Sequence, residues 1–280
     1  MTRDLTCDVT ISVVSHGHGS LVLRALESLS ASLQSSGQVL RVCLTLNLPE
    51  PELVKALDQR SWPFDLRLIH NPVPLGFGSN HNQAFAYAQL LGETQWFIIM
   101  NPDIFWPEQA HDFWTSLIQN QWPPAIGLLC PQQIDTCGNQ QDFSRQIMTP
   151  WSLLIRTIRK AINLQPSGIA PSISMADWVN GACMVWRSKA FSNLGGFDER
   201  YFMYCEDTDI CLRMHLAGWR MQEANLSVIH DACRNTGRSW KHLRWHLHSL
   251  CRMWVSAIFW RYQHLRRQKP FLKSGVNLSS

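Results

Sequence analysis

The chain has 280 residues, of which 45% are hydrophobic and 16% charged, with a net charge of +4; this excludes the apolar-poor, highly charged composition of a disordered chain and leaves room for one large α/β domain with an appendage. Nine cysteines form no CxxC pair and several lie in apolar strand-like runs, so a zinc site and a disulfide framework are excluded in favour of buried thiols in a reducing compartment. The amino terminus lacks the apolar segment of a signal peptide and no stretch reaches the roughly 20 apolar residues of a membrane span, so a cytoplasmic location is expected.

Residues 8–15, DVTISVVS, are β-branched and run into His16-Gly17-His18-Gly19, as a buried strand entering a loop does. A helix is expected next, with Ser20 as its N-cap and Val22, Leu26, Leu29 and Leu33 at helical spacing. The alternation repeats: strand 39–46, helix 50–58, strand 65–70, helix 79–91, strand 95–100. The second half reads as helix 107–119, strand 125–130, helix 150–162, a Pro/Ser/Gly loop over 165–175, strand 182–187 and helix 206–217 stopped by Gly218. Strands alternating with helices imply a mostly parallel sheet with helices on both faces, and such sheets bind ligands at the carboxyl ends of their strands. Ser15 to His18, Asn47, Asn71 to Asn82 and Asn101 to Asp103 should therefore converge on one crevice. The thirteen tryptophans suit interfaces with one dry and one wet side.

Four segments carry candidate chemistry. Asp103 is the first carboxylate after a long apolar strand, where it could hold Mg2+ or Mn2+ against a diphosphate; Asn101-Pro102-Asp103 is equally good turn chemistry. The loop Asn71 to Asn82 sets Gly76 and Gly78 before a helix and could present backbone N–H groups to a nucleotide, although Asn80 as a helix cap explains it as well. The acids Glu206, Asp207 and Asp209 crowd one helical turn; crowding raises carboxyl pKa values and suits Asp207 as a general base, while acids in a first turn also complement the helix dipole. His230, closing the apolar run Leu226 to Ile229, could add a metal or diphosphate contact.

Taken in order, ISVVSHGHG, LIHNPVPLGFGSNHNQAF, FIIMNPDIFW, DWVNGACMVWR, LGGFDERYFMYCEDTDICLRM and VIH resemble glycosyltransferase family 2, in particular its bacterial rhamnosyltransferase-like branch with a GT-A fold. The resemblance covers about residues 8–232. It implies a Rossmann-like, mostly parallel sheet flanked by helices over 1–232, with a nucleotide-binding half at 1–105 and an acceptor-binding half at 106–232. By the same resemblance Asp103 matches the last acid of a DxD-type metal motif in which Asn101 replaces the first, and Asp207 the base of an ED motif with Glu206 its neighbour. Ser15, Asn47, Gly76 and Asn82 match nucleotide-pocket positions, which His16, Gly78 and Asn101 at the same strand ends would complete. Asp177, Trp178, Asn180 and Gly181 correspond to the acceptor-side strand. What this implies is an inverting, metal-dependent transfer from a nucleotide-sugar donor, dTDP-L-rhamnose above UDP- or GDP-sugars, to a glycan or lipid-linked glycan in cell-surface polysaccharide (O-antigen or lipopolysaccharide) synthesis.

From Asp231 onward, ten Lys or Arg stand against one acid. Residues 233–280 are expected as a basic helical extension, with one long amphipathic helix over 236–267 carrying Trp240, Leu243, Leu247, Leu250, Trp254, Ile258 and Tyr262, suited to an anionic membrane interface or to packing on the domain. Nucleic-acid binding would explain the basic tail but not the acids at 206–209. A sugar nucleotidyltransferase should open with a Gly-rich, Arg-containing loop where this chain has Ser15 to His18. Oligomeric state leaves no mark in the sequence.

Overall fold

A computed structural model describes residues 7–33, 40–119, 121–161, 172–231 and 240–268. Most of the loop expected at 165–175, residues 236–239 of the expected C-terminal helix, and Cys233 lie outside the described residues.

The first half alternates β1 (Val9–Ser15), α1 (Gly19–Leu33), β2 (Leu40–Leu46), α2 (Pro51–Asp58), β3 (Asp65–His70), α3 (Phe77–Leu90) and β4 (Trp96–Met100). These four strands lie parallel in the order β3-β2-β1-β4. Every residue of β2 and of β4 is buried, as continuous apolar strands in a sheet covered on both faces must be. Helix α1 packs Val22, Ala25, Leu26, Leu29 and Leu33 inward, one residue or one turn apart. It begins at Gly19, so Ser20 lies inside the helix and does not cap it.

The second half runs β5 (Ile104–Phe105), α4 (His111–Ile118), β6 (Ile126–Ile134), β7 (Ser144–Arg145), α5 (Pro150–Ala161), a 3-10 turn (Ile173–Met175), β8 (Trp178–Val179), β9 (Cys183–Arg187), α6 (Ser188–Asn193), α7 (Glu206–Leu216), β10 (Arg220–His230), α8 (Trp240–Val255) and α9 (Ala257–Gln268). The eight-stranded sheet continues from β4 as β9-β6-β10-β5, with β9 antiparallel to β4 and β6, and β5 antiparallel to β10. Because β9 is reversed, its first residue pairs with the last of β4, Cys183 with Met100. Gly181 and Ala182 therefore stand at the same sheet edge as Asn101. Strand β10 runs parallel to β6, so His230 reaches that edge too, opposite Ile104 of β5. One end of the sheet thus gathers loops from both halves of the chain.

Trp96, Trp114 and Trp186 are fully buried and Trp106 nearly so, placing these four in the core and not at an interface. The expected single C-terminal helix is two. Ser256 interrupts it, its Oγ accepting the Phe259 N–H at 3.1 Å in the manner of an N-cap that starts α9 afresh. Buried Leu250, Met253, Phe259 and Tyr262 join Ile147, Tyr201, Cys205 and Leu212 in one apolar cluster, so both helices pack on the domain.

Candidate active site

The loops leaving β1, β2 and β3 are tied by amides. Asn47 follows β2 and its N–H donates to Ser15 O at 2.9 Å. Its Oδ1 accepts from the Leu75 N–H (2.8 Å) and from Asn71 Nδ2 (2.9 Å), while its Nδ2 reaches Leu75 O (3.0 Å) and His16 Nδ1 (3.2 Å). Asn71 also donates to Asn80 Oδ1 at 2.7 Å, and Asn80 donates back to Gly76 O at 2.9 Å. This chain of three asparagines fixes the path of 71–76, with Asn71 Oδ1 left buried without a partner. Ser15 is buried and its Oγ accepts the His18 N–H at 3.3 Å, whereas His16 is exposed.

Helix α3 is sewn to the loop 194–202. A Cβ on Gly76 would meet Phe202 O at 2.5 Å, and one on Gly78 would meet Phe197 Cβ at 2.7 Å, so only glycine allows these two backbones to approach. Asn82 Oδ1 accepts the Phe197 N–H at 2.9 Å while its Nδ2 donates to Phe197 O and Glu199 Oε1. Gly76, Gly78 and Asn82 thus join the first half to the turn that carries the acids.

That turn is bent against its steric preference. Tyr204 and Cys205 have φ of 71° and 66°, left-handed conformations that each cost about 1–3 kcal/mol in a non-glycine residue. Helix α8 clamps it: Ser249 Oγ donates to Met203 O (2.8 Å), Tyr204 Oη and His242 Nδ1 are 2.9 Å apart, and Phe202 packs on Trp245. The turn sends the chain into α7 with Glu206 and Asp207 in its first two positions. Asp207 accepts the Thr208 N–H at 2.7 Å and the Gly181 N–H at 3.2 Å. Glu206 is buried beside it with no hydrogen-bond partner for Oε2. Burial raises both carboxyls, and the Asp207 charge raises Glu206 further, whereas the backbone donors and the Arg145 charge favour ionised Asp207. Donors and a nearby cation thus favour charge on Asp207, while burial and the unpartnered Oε2 disfavour it on Glu206. Asp209, also raised by burial, is bound to Arg213 at 2.6 Å, and Arg213 in turn donates to Leu194 O and Gly196 O, so this third acid braces the loop.

Asp103 lies between β4 and β5. Its carbonyl accepts the Asp231 N–H at 2.9 Å, and its Oδ2 stands 3.6 Å from His230 Nε2. Asp103 Oδ1 and His230 Nδ1 are both buried without a hydrogen-bond partner. The Asn101 N–H donates to Ala182 O at 2.8 Å, next to the Gly181 whose N–H binds Asp207, so a short run of backbone connects the two acids along one sheet edge. Among the described residues no group of three or more His, Cys, Asp or Glu is placed to hold a metal ion.

At this edge, a cavity of about 510 Å³ is lined by Gln141, Asp142, Arg145, His230 and Asp231 among others. Arg145 holds Asp142 at 2.9 Å and lies 5.5 Å over the Trp178 ring. Asn180 exchanges two hydrogen bonds with Gln133, at 2.8 and 3.1 Å. Asp177 faces elsewhere. It is 4% exposed, and its carboxylate accepts the Ile147 N–H (2.7 Å), Tyr262 Oη (2.7 Å) and Arg266 (3.0 Å), which spends it on docking α9. Arg145 and the left-handed turn at 204–205 escaped the sequence reading. Arg145 sits in a stretch without periodicity, and no residue type at 204–205 signals positive φ.

Residues 7–255 match the family model described as glycosyltransferase like family 2. The chain is 32% identical to rhamnosyltransferase WbbL of Escherichia coli strain K12 across 87% of this chain and 91% of that protein. It is 29% identical to the N-acetylglucosaminyl-diphospho-decaprenol L-rhamnosyltransferase of Mycobacterium tuberculosis across 84% and 79%. A mannosyltransferase of Pyrobaculum calidifontis, solved with GDP-mannose and Mn2+, shares the fold with a TM-score of 0.58 over 95% of this chain and 72% of that one, at 15% identity.

Proposed function

Because the chain belongs to glycosyltransferase like family 2 and has the GT-A fold, we propose that this glycosyltransferase moves L-rhamnose from dTDP-L-rhamnose, with inversion, to a hydroxyl of a glycan or lipid-linked glycan in cell-surface polysaccharide synthesis. The sugar is supported by the names of the two relatives. The observation that carries the mechanism is an ionisable carboxylate with backbone donors, Asp207, at the same sheet edge as Asp103 and His230. Asp207 takes the proton of the acceptor hydroxyl; the oxygen forms a bond to the anomeric carbon, and the bond from that carbon to the diphosphate oxygen breaks on the opposite face. Neutral Glu206 keeps a second negative charge from opposing the incoming oxygen. No covalent glycosyl-enzyme is required, so one carboxylate suffices.

The orphaned Asp103 Oδ1, with the His230 imidazole turned toward the same carboxylate through Nε2, suits a divalent cation whose remaining ligands are diphosphate oxygens. Asp103 and His230 would hold Mg2+ or Mn2+, which as a Lewis acid offsets charge on the departing diphosphate. Ser15, His16, Asn47, Gly76, Gly78, Asn82 and Asn101 form or brace the donor crevice, and Trp178, Asn180 and Gly181 the acceptor side, with Asp177 anchoring that side to α9.

A panel of nucleotide sugars assayed for released nucleoside diphosphate tests the reading. dTDP from dTDP-L-rhamnose is expected. Release from only a UDP- or GDP-sugar overturns the donor, and release of pyrophosphate overturns the reaction.

A further inference from the structure

Helix α8 is apolar on two faces. Ser249, Leu250 and Met253 pack on the domain. Trp240, Leu243, Leu247, Cys251 and Val255 follow one another at intervals of three or four residues, which at about 100° per residue confines them to one arc of roughly 120° on the opposite side. Most of that arc lies in solvent: Trp240 is 84% exposed, Val255 82%, and Leu243 and Leu247 about half, while Trp254 on the same arc packs on the domain. The Trp254 indole N–H donates to Met148 O at 2.9 Å, which brings the start of α5 beside the end of α8. There Trp151, Leu154 and Ile155, at i, i+3 and i+4, are again exposed on one face. Between Trp240 and Gln268 the chain has six Lys or Arg and no acid.

We propose that this surface, the outer stripe of α8 with the first turns of α5, docks on an anionic lipid bilayer. Its chemistry matches that partner: Trp and Leu enter the interfacial layer while Arg244 and Arg261, exposed on the same two C-terminal helices, meet lipid phosphates. Acid-free charge favours lipid over a second copy of this chain, whose identical face would carry the same cations. Among the described residues no helix is long and apolar enough to cross a membrane, so α8 lies in the interface. Through Ser249 and Met203 the same helix touches the turn that carries Glu206 and Asp207, which holds the site at a fixed height over the lipid surface. The inference goes beyond the transfer reaction and does not depend on its donor.

The full chain is co-sedimented with phosphatidylglycerol/phosphatidylcholine vesicles and with phosphatidylcholine alone. Binding to the anionic vesicles is expected, weakened by NaCl, and about tenfold or more weaker in a Trp240→Ser/Leu247→Ser variant, since each substitution removes an exposed apolar side chain that the bilayer would bury. Arg244→Glu should reduce binding to anionic vesicles only. Thermal melting confirms that the variants fold, and transfer to a water-soluble acceptor should not change. Equal recovery in the supernatant with and without vesicles, binding untouched by the double substitution, or a dimer that the double substitution dissociates would each overturn the proposal. Vesicle binding with no sugar transfer would sink the proposed reaction and leave the surface standing.

Discussion

Replacing Glu206 by glutamine separates its protonation from its shape. The side chain is 5% exposed, its Oε2 lacks a partner, and burial with the adjacent Asp207 charge raises its pKa. The folded chain therefore keeps a proton that the unfolded chain releases once the pH exceeds the ordinary glutamate value. Between that value and the raised folded value, each pH unit removes about 1.4 kcal/mol of stability; below the window the penalty is absent, and above it the penalty is constant. With an unfolding entropy of about 2 cal/mol/K per residue over 280 residues, this is about 2 °C in Tm per pH unit. Glu206→Gln cannot titrate, so its Tm should pull ahead of the wild type as pH rises from 5 and then hold a constant lead. Glutamine copies the shape of the neutral acid, so transfer near pH 7 should stay within about tenfold. Thermal melts of both proteins from pH 5 to 9 decide the matter. A Tm difference independent of pH would refute the assignment of the proton to Glu206.

Asp207→Asn should lower kcat by about 10²–10⁴, the worth of a general base, without lowering Tm. In the wild type the raised Asp207 pKa places the acidic fall in activity at higher pH than an ordinary aspartate would, as a pH–kcat profile will read out. Asp103→Asn should weaken Mn2+ binding in the presence of nucleoside diphosphate by at least about tenfold, measured by Mn2+ paramagnetic resonance; unchanged affinity would remove Asp103 from the metal. Tyr262→Phe leaves Asp177 Oδ1 without its 2.7 Å donor and should cost about 1.5–3 kcal/mol in urea unfolding. No loss there would mean that the Asp177 contacts do not hold α9.

The sequence by itself determined the parallel half of the sheet. Continuous β-branched and apolar runs such as Val9 to Ser15 can be satisfied only inside a sheet covered on both faces, and the breakers after them mark where strands end. Those ends located Ser15, Asn47, Asn71 and Asn101, and the acid-rich first turn of α7 was legible as three carboxylates in four residues. Ser256 is a cap residue inside the C-terminal helical run, but hydrophobic spacing continues across it and masks the break between α8 and α9.

Tertiary structure decided the rest, because it depends on groups far apart in the chain. Reversal of β9 brings Gly181 to Asp207, 26 residues away, and neither segment signals the other. Asp177 looks like a site residue in its motif, yet its carboxylate is taken by Tyr262 and Arg266, 85 and 89 residues later. The left-handed turn at Tyr204 and Cys205 has no local cause at all: packing of α8 offsets its steric cost, and that packing exists only once the domain has closed.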